Sequence, residues 1–121
     1  MPKYILVSED DLDILEMVTA VLEDAGFSVG SSMGAGTLGA VRERRPDLVL
    51  LDYQMPGMDG IRVAQEIRSD PKTSTIPIVA MTAAGRAPIV CHEMEANGCL
   101  GKPFDIDDLV GTVERLIHTT H

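Results

Sequence analysis

Short apolar runs of strand length alternate along the chain with segments of helical periodicity. The runs lie at about 4–8, 27–32, 48–52, 77–82 and 99–101. The interior runs are continuously apolar, which is typical of strands covered on both faces. Phe27, Ser28 and Val29 alternate instead, which indicates an edge strand. Five such strand–helix units predict an α/β fold with a doubly wound parallel sheet and helices on both faces.

Helical segments follow each apolar run. We predict helices at about 12–25, 35–45, 60–69, 88–96 and 106–118. The first carries an apolar stripe of Leu15, Val18, Leu22 and Ala25, and Gly26 is a natural stop after it. In the last helix we expect four residues to face the core: Leu109, Val113, Leu116 and Ile117.

Size and charge restrict the classes of function. A chain of 121 residues is one domain by length, and aromatic residues at 3% leave an aliphatic core. The net charge of −9 repels phosphate backbones, so direct nucleic-acid binding is not expected. The chain shows neither a signal-peptide pattern nor an apolar run of transmembrane length, which favours the cytoplasm and no membrane partner. Cys91 and Cys99 lack metal-site spacing and are interpreted as reduced thiols, which a cytosolic protein would have.

Polar side chains follow four of the predicted strands, at the point where each strand ends. Glu9 and Asp10 follow the first run, Asp52 ends the third, Thr82 ends the fourth, and Lys102 follows the last. Because the carboxyl ends of parallel strands meet at one edge of a sheet, we expect these side chains to share one crevice. Carboxylates, a hydroxyl and an ammonium in one crevice suit a hard divalent cation and a phosphoryl group.

In this arrangement the sequence resembles the receiver domain of bacterial two-component response regulators over essentially its whole length. Four segments carry the resemblance: Ile5-Leu6-Val7-Ser8-Glu9-Asp10-Asp11, Pro46-Asp47-Leu48-Val49-Leu50-Leu51-Asp52-Tyr53-Gln54-Met55-Pro56-Gly57-Met58-Asp59-Gly60, Ile76-Pro77-Ile78-Val79-Ala80-Met81-Thr82-Ala83 and Lys102-Pro103-Phe104. The resemblance implies one receiver domain over residues 1–121, with a flavodoxin-like sheet of five parallel strands in the order 2-1-3-4-5 and five helices.

The resemblance also implies a role for each residue of the crevice. Asp52 is the expected phospho-acceptor. Mg²⁺ is the expected cofactor, with Glu9, Asp10, Asp52 and the backbone carbonyl of Gln54 as the metal site. Thr82 is expected to donate its hydroxyl to a phosphoryl oxygen. Lys102, preceding a cis bond to Pro103, is expected to pair with the acceptor and then with the phosphoryl group. Asp11 is expected to cap the first helix rather than to bind metal.

The function implied is Mg²⁺-dependent transfer of a phosphoryl group from a phosphohistidine to Asp52, which then switches protein contacts. The donor is a sensor histidine kinase or a phosphotransfer protein, and the recipient of the signal is a downstream protein or a fused output domain. The chain is expected not to be an enzyme beyond weak self-phosphorylation and autodephosphorylation. The resemblance implies that Gln54 and Ala84 tune the hydrolysis of the aspartyl phosphate. Two alternatives remain: a receiver-shaped interaction module that is never phosphorylated, and an Asp-nucleophile phosphatase. Gln54 argues against the phosphatase, because such enzymes carry a second Asp at that position.

Two features depart from the family pattern. Cys99 stands three residues before Lys102, where the family usually has Tyr or Phe, and the segment between Thr82 and Lys102 is about two residues shorter than usual. A third feature has two interpretations. Several apolar residues are either a docking surface for phosphodonor proteins or a mixture of core and scattered surface residues. They are Ile14, Leu15, Met17, Pro103 and Phe104.

Overall fold

The computed structural model describes residues 2–34, 36–55 and 58–119. Five strands form one parallel sheet: β1 (Tyr4–Ser8), β2 (Ser28–Ser32), β3 (Leu48–Asp52), β4 (Ile78–Ala83) and β5 (Gly98–Lys102). Their order across the sheet is β2-β1-β3-β4-β5, so β2 is an edge strand, as its alternating pattern indicates. The predicted doubly wound sheet of order 2-1-3-4-5 is therefore confirmed.

The described residues include five helices. Four connect the strands, α1 (Leu12–Asp24), α2 (Gly36–Glu43), α3 (Gly60–Ser69) and α4 (Ala87–Glu93), and α5 (Ile106–Thr119) follows β5. A 3₁₀ turn (Ala84–Arg86) precedes α4, and a two-residue antiparallel ladder pairs Gln54–Met55 with Met58–Asp59. Ala35, which the predicted second helix includes, lies outside the described residues. No helix in the described part of the chain is long and apolar enough to cross a bilayer.

The core has two layers, one on each face of the sheet. Along β3, Leu48 and Leu50 pack with α1 and α5 residues, whereas Val49 and Leu51 pack with α3 and α4 residues on the other face. All five β3 residues are buried, because covered strands alternate their side chains between two apolar layers. The inward face predicted for α5 is confirmed, since Leu109, Val113, Leu116 and Ile117 are all buried.

Helix ends follow local capping chemistry. The Asp11 side chain accepts hydrogen bonds from the backbone N–H groups of Asp13 at 3.0 Å and Ile14 at 3.2 Å, so its predicted role as the cap of α1 is confirmed. In α1, Val18 and Leu22 are buried and Leu15 is half-buried, whereas Ala25 is exposed, so the predicted apolar stripe ends at Leu22.

Helix α4 is shorter than its periodicity predicts. It ends at Glu93 rather than near Ala96, and Glu95 takes a positive φ of 51° that no α-helix continues through. The Arg68 guanidinium from the end of α3 donates to the Glu95 carbonyl and to Asn97 Oδ1 at 2.6 Å. These contacts fix the reversal before β5, and periodicity alone could not indicate them.

The interpretation of both cysteines as reduced thiols is wrong for this structure. Cys91 on α4 and Cys99 on β5 form a disulfide, with their Cα atoms 5.8 Å apart. Their separation of eight residues spans one helix end and one turn, and it is the packing of α4 beside β5 that brings the thiols together. Spacing in the sequence carries no signal of that kind.

Candidate functional site

A cavity of about 380 Å³ opens at the carboxyl ends of the strands. The sheet register explains its position. Ser8 lies beside Leu51, Asp52 beside Met81, and Ala83 beside Lys102, so the carboxyl ends of β1, β3, β4 and β5 meet at one edge. Its described lining includes all five side chains that the sequence pattern singles out for this edge: Glu9, Asp10, Asp52, Thr82 and Lys102.

Lys102 joins the two buried carboxylates of the cavity. Its Nζ donates to Glu9 Oε2 at 2.8 Å and to Asp52 Oδ2 at 3.2 Å. Glu9 is only 1% exposed and Asp52 4%, so water screens these pairs weakly. Burial by itself lowers the pKa of Lys102, but the carboxylates of Glu9 and Asp52 outweigh it and raise that pKa above its ordinary value. The peptide bond from Lys102 to Pro103 is cis, as the sequence resemblance implies.

The surroundings of Glu9 shift the pKa of its carboxyl group. Its pKa is raised from 4.5 to about 7, chiefly by burial and also by nearby Asp52, although the hydrogen bond from Lys102 opposes this rise. The backbone N–H of Asp11 also donates to Glu9 Oε1, at 3.1 Å. One cation for several clustered carboxylates leaves negative charge uncompensated, so this edge of the sheet favours a second cation.

Three carboxylates are close enough to bind one metal ion. Oxygen atoms of Glu9, Asp10 and Asp52 all lie within 4.8 Å of one another. Carboxylate oxygens are the protein ligands that Mg²⁺ prefers, and it usually takes only a few of them. The donor set therefore fits Mg²⁺. Gln54, whose backbone carbonyl is the fourth predicted ligand, lies in the short ladder two residues after Asp52.

Thr82 and Gly60 flank β3 from two directions. Thr82 is 5% exposed and lines the cavity at the end of β4. Gly60 begins α3 directly beneath β3, and a Cβ atom at that position would lie 2.7 Å from the Asp52 carbonyl oxygen. Only glycine lets the start of α3 approach the backbone of β3 this closely.

The structure also shows polar contacts beside the cavity that the sequence pattern did not indicate. Thr37, fully buried on α2, shares hydrogen bonds with Ser8 Oγ at 2.7 Å and with Ser32 Oγ at 3.1 Å. This hydroxyl chain ties α2 to the ends of β1 and β2, next to Glu9. A single Thr near the start of a glycine-weakened helix gives no signal of such a role. On the other side, the Arg86 guanidinium lies 5.5 Å from the centre of the Tyr53 ring.

The apolar residues of α1 and the following loop divide between core and surface. Ile14, Leu15 and Phe104 pack against the core, whereas Met17 is 37% exposed and Pro103 is exposed. Ile14 also lines the cavity. Both sequence interpretations of this surface therefore remain open.

Comparison with known proteins identifies relatives along nearly the whole chain. The sequence profile of the family described as "Response regulator receiver domain" matches residues 5–114. The DNA-binding response regulator MtrA of Mycobacterium tuberculosis is 44% identical over 117 residues, which cover 93% of this chain and 50% of that protein. The chain thus spans about half the length of the curated relatives it matches.

Solved structures agree with the sequence match. The receiver domain of NtrX from Brucella abortus superimposes with a TM-score of 0.86 at 30% identity, covering 95% of this chain and 98% of that one. The chemotaxis response regulator CheY4 of Vibrio cholerae superimposes with a TM-score of 0.88 at 28% identity, covering 96% and 99%.

Proposed function

The chain belongs to the response regulator receiver domain family, and we propose that Asp52 is its phospho-acceptor, within one receiver domain over residues 1–121. One observation carries the proposal most strongly. Asp52 lies at the end of β3 in the cavity, paired at 3.2 Å with the only ammonium that lines it among the described residues. An Asp that merely ended a strand would not require Lys102 or two further carboxylates around it.

The side chains support a simple division of roles. A carboxylate oxygen of Asp52 attacks phosphorus in line and forms an acyl phosphate, while the bond to the donor's leaving group breaks. Lys102 gives up part of its contact with the acceptor and offsets charge on the phosphoryl oxygens. The Thr82 hydroxyl donates a hydrogen bond to one of these oxygens. Positioning and charge compensation make up most of such catalysis.

We assign the metal site to Glu9, Asp10, Asp52 and the backbone carbonyl of Gln54. Mg²⁺ bound there would offset negative charge on the phosphoryl group and relieve repulsion among the carboxylates. The fit rests on the mutual distances of the three carboxylates, whose oxygen atoms all lie within 4.8 Å of one another.

The proposed chemistry is that of a switch and not of a turnover enzyme. Receiver domains are signalling modules, and the relatives reported above are regulators. We propose that self-phosphorylation and autodephosphorylation are slow. We also propose that Gln54 and Ala84 tune the rate at which the acyl phosphate is hydrolysed. Phosphorylation adds negative charge and three acceptor oxygens at the carboxyl edge of the sheet, and the resulting shift changes contacts with other proteins.

We propose a sensor histidine kinase or a phosphotransfer protein as donor, acting in the cytoplasm. The signal then passes to a downstream protein or to an output domain in the same polypeptide. The name of MtrA gives that relative a DNA-binding activity, and this chain covers only half of its length. For this chain we propose no direct contact with nucleic acid or with a membrane. Its net charge of −9 supports the first part, because it repels the phosphate backbone of nucleic acids.

Incubation with acetyl phosphate and Mg²⁺, followed by intact-mass measurement, tests the proposal. We expect one phosphoryl adduct per chain. No adduct should form when a chelator is added before the donor, or when Asp52→Asn replaces the wild type. Asp47→Asn is the matched control, because Asp47 lies at the opposite end of β3, where it accepts a hydrogen bond from the Tyr4 N–H. Unmodified wild-type protein would favour a receiver-shaped interaction module, and rapid multiple turnover with phosphate release would favour a phosphatase.

A further inference from the structure

The disulfide between Cys91 and Cys99 lies in the segment that connects two residues of the proposed phosphorylation site. Thr82 at the end of β4 leads through the 3₁₀ turn into α4, which carries Cys91. Cys99 lies on β5, three residues before Lys102. The disulfide therefore joins the helix that follows Thr82 to the strand that ends at Lys102. Both cysteines are half-buried and so remain accessible to small reagents.

The fold does not depend on this disulfide. The domain has a two-layer aliphatic core, which is sufficient for a chain of this size. The turn between the cysteines is already held without the disulfide. Arg68 donates to the Glu95 carbonyl and to Asn97 Oδ1, and Asn97 exchanges backbone and side-chain hydrogen bonds with Ile78. A disulfide that closes so short a loop constrains the unfolded chain less than a long-range one.

The position of α4 itself depends much more on the disulfide. Val90 is the buried residue of this seven-residue helix, and Met94 just beyond it is also buried, whereas Ile89 is 61% exposed. Because this apolar anchor is small, the covalent bond to β5 restricts movement of α4 in addition to the packing of Val90 and Met94. Breaking that bond would leave the sheet and the contacts of Val90 and Met94 in place and would give α4 more freedom to move.

We propose that Cys91 and Cys99 form a reversible thiol–disulfide exchange site that controls whether α4 can respond to phosphorylation at Asp52. Its substrates are low-molecular-weight disulfides such as oxidised glutathione, and thiol or dithiol reductants. Disulfides in cytoplasmic proteins are usually transient and redox-sensing. The cytoplasmic location proposed above therefore fits a disulfide that the fold does not need. The control of the response rests on the proposed function, whereas the exchange chemistry does not.

The chemistry balances as a two-electron exchange. One cysteine thiolate attacks a sulfur of the small disulfide, forms a mixed disulfide and releases one small thiolate. The second cysteine thiolate then attacks the mixed disulfide at the first cysteine's sulfur and releases the second small thiolate. The protein loses two electrons, which reduce the small disulfide, and the two protons from the cysteine thiols end on the two small thiols. Reduction follows the reverse sequence.

The exchange step is tested by equilibrating the folded protein with glutathione buffers of varied redox ratio, then alkylating free thiols and measuring intact mass. We expect a reversible change between no alkylated cysteines and both, within the range that glutathione sets. Cys91→Ser and Cys99→Ser each leave one cysteine and should instead trap a mixed disulfide with glutathione. A wild-type disulfide that glutathione neither forms nor reduces in the folded protein would overturn the proposal.

The control step is tested by measuring beryllofluoride affinity, by ¹⁹F NMR in Mg²⁺, for oxidised and reduced wild type and for the Cys91→Ser/Cys99→Ser double variant. We expect the reduced protein and the double variant to bind at least about fivefold more tightly than the oxidised protein. Linkage requires saturating beryllofluoride to shift the thiol–disulfide equilibrium toward dithiol by the same factor. Equal affinities in both redox forms would overturn the control step. Absence of binding by both forms, and by the double variant, would overturn the proposed function.

Discussion

Replacing Lys102 by Met tests whether the carboxylate cluster has the electrostatics described above. The substitution keeps most of the side-chain volume and removes the ammonium that lies 2.8 Å from Glu9 Oε2 and 3.2 Å from Asp52 Oδ2. At an effective dielectric constant of about 20, those two distances correspond to attractions of about 6 and about 5 kcal/mol. Desolvation of three charged groups cancels much of this gain.

The net effect is smaller than these attractions and depends on pH. Removing one partner of a buried ion pair costs about 3–5 kcal/mol, and we expect the lower end here because the Lys102 side chain is 24% exposed. Near pH 8 the variant should therefore lose about 3 kcal/mol, or roughly 10 °C in Tm. Below about pH 6 the Glu9 carboxyl is protonated in both proteins, since its pKa is already about 7 with Lys102 present, so the loss should be smaller.

Thermal and urea unfolding of metal-free protein measure this loss, with Lys72→Met as the matched control because Lys72 is exposed outside the cavity. Mg²⁺ should raise the Tm of Lys102→Met more than that of the wild type, because bound cation replaces the missing positive charge. Equal destabilisation by the two substitutions, or a loss that changes with neither pH nor Mg²⁺, would refute the reasoning.

Three further substitutions test separate parts of the structure. Between pH 4.5 and about 7 the unfolded chain ionises Glu9 while the folded protein keeps it protonated, so metal-free stability should fall by up to about 3 kcal/mol as pH rises through this window. Glu9→Gln should abolish that decline in urea unfolding at a series of pH values, and an unchanged decline would assign it to other groups. Gly60→Ala should destabilise the protein and slow its phosphorylation by acetyl phosphate, because the new Cβ would lie 2.7 Å from the carbonyl oxygen that ends β3. Gly39→Ala is the control: its Cβ would meet nothing within 4 Å, so it should stabilise the protein by about 0.5–1 kcal/mol. The account of this close approach fails if both alanines behave alike. Arg68→Met should lower the free energy of unfolding in urea by about 2–4 kcal/mol, because the Arg68 guanidinium donates to three backbone carbonyls and one side-chain amide. Arg62, on the same helix, is exposed, so Arg62→Met should lower it by less than about 0.5 kcal/mol. Comparable losses for the two arginines would contradict the role of Arg68 in holding the turn before β5.

The sheet could be predicted from the sequence because its strands are buried on both faces. A continuous apolar run such as Leu48–Asp52 has few other interpretations when helical segments flank it. The gathering of Glu9, Asp52 and Lys102 followed from the same pattern, since carboxyl ends of parallel strands share an edge. Their chemical roles remain predictions, because proximity does not demonstrate phosphoryl transfer.

Other features depend on contacts that no local pattern encodes. The end of α4 is set by Glu95 at positive φ and by Arg68, which lies 27 residues earlier in the chain. The disulfide arises because the packing of α4 against β5 brings Cys91 near Cys99. Periodicity and cysteine spacing are local quantities, so both features required the tertiary structure.

The most direct test of the central claim identifies the residue that accepts the phosphoryl group. Protein treated with acetyl phosphate and Mg²⁺ is reduced with borohydride, which converts an aspartyl phosphate to homoserine, and is then digested and sequenced by tandem mass spectrometry. The account predicts homoserine at Asp52 alone, and none when Mg²⁺ is chelated before the donor is added. Homoserine at Asp10, modification at Glu9, or an unmodified Asp52 in protein that carries a phosphoryl group would contradict it.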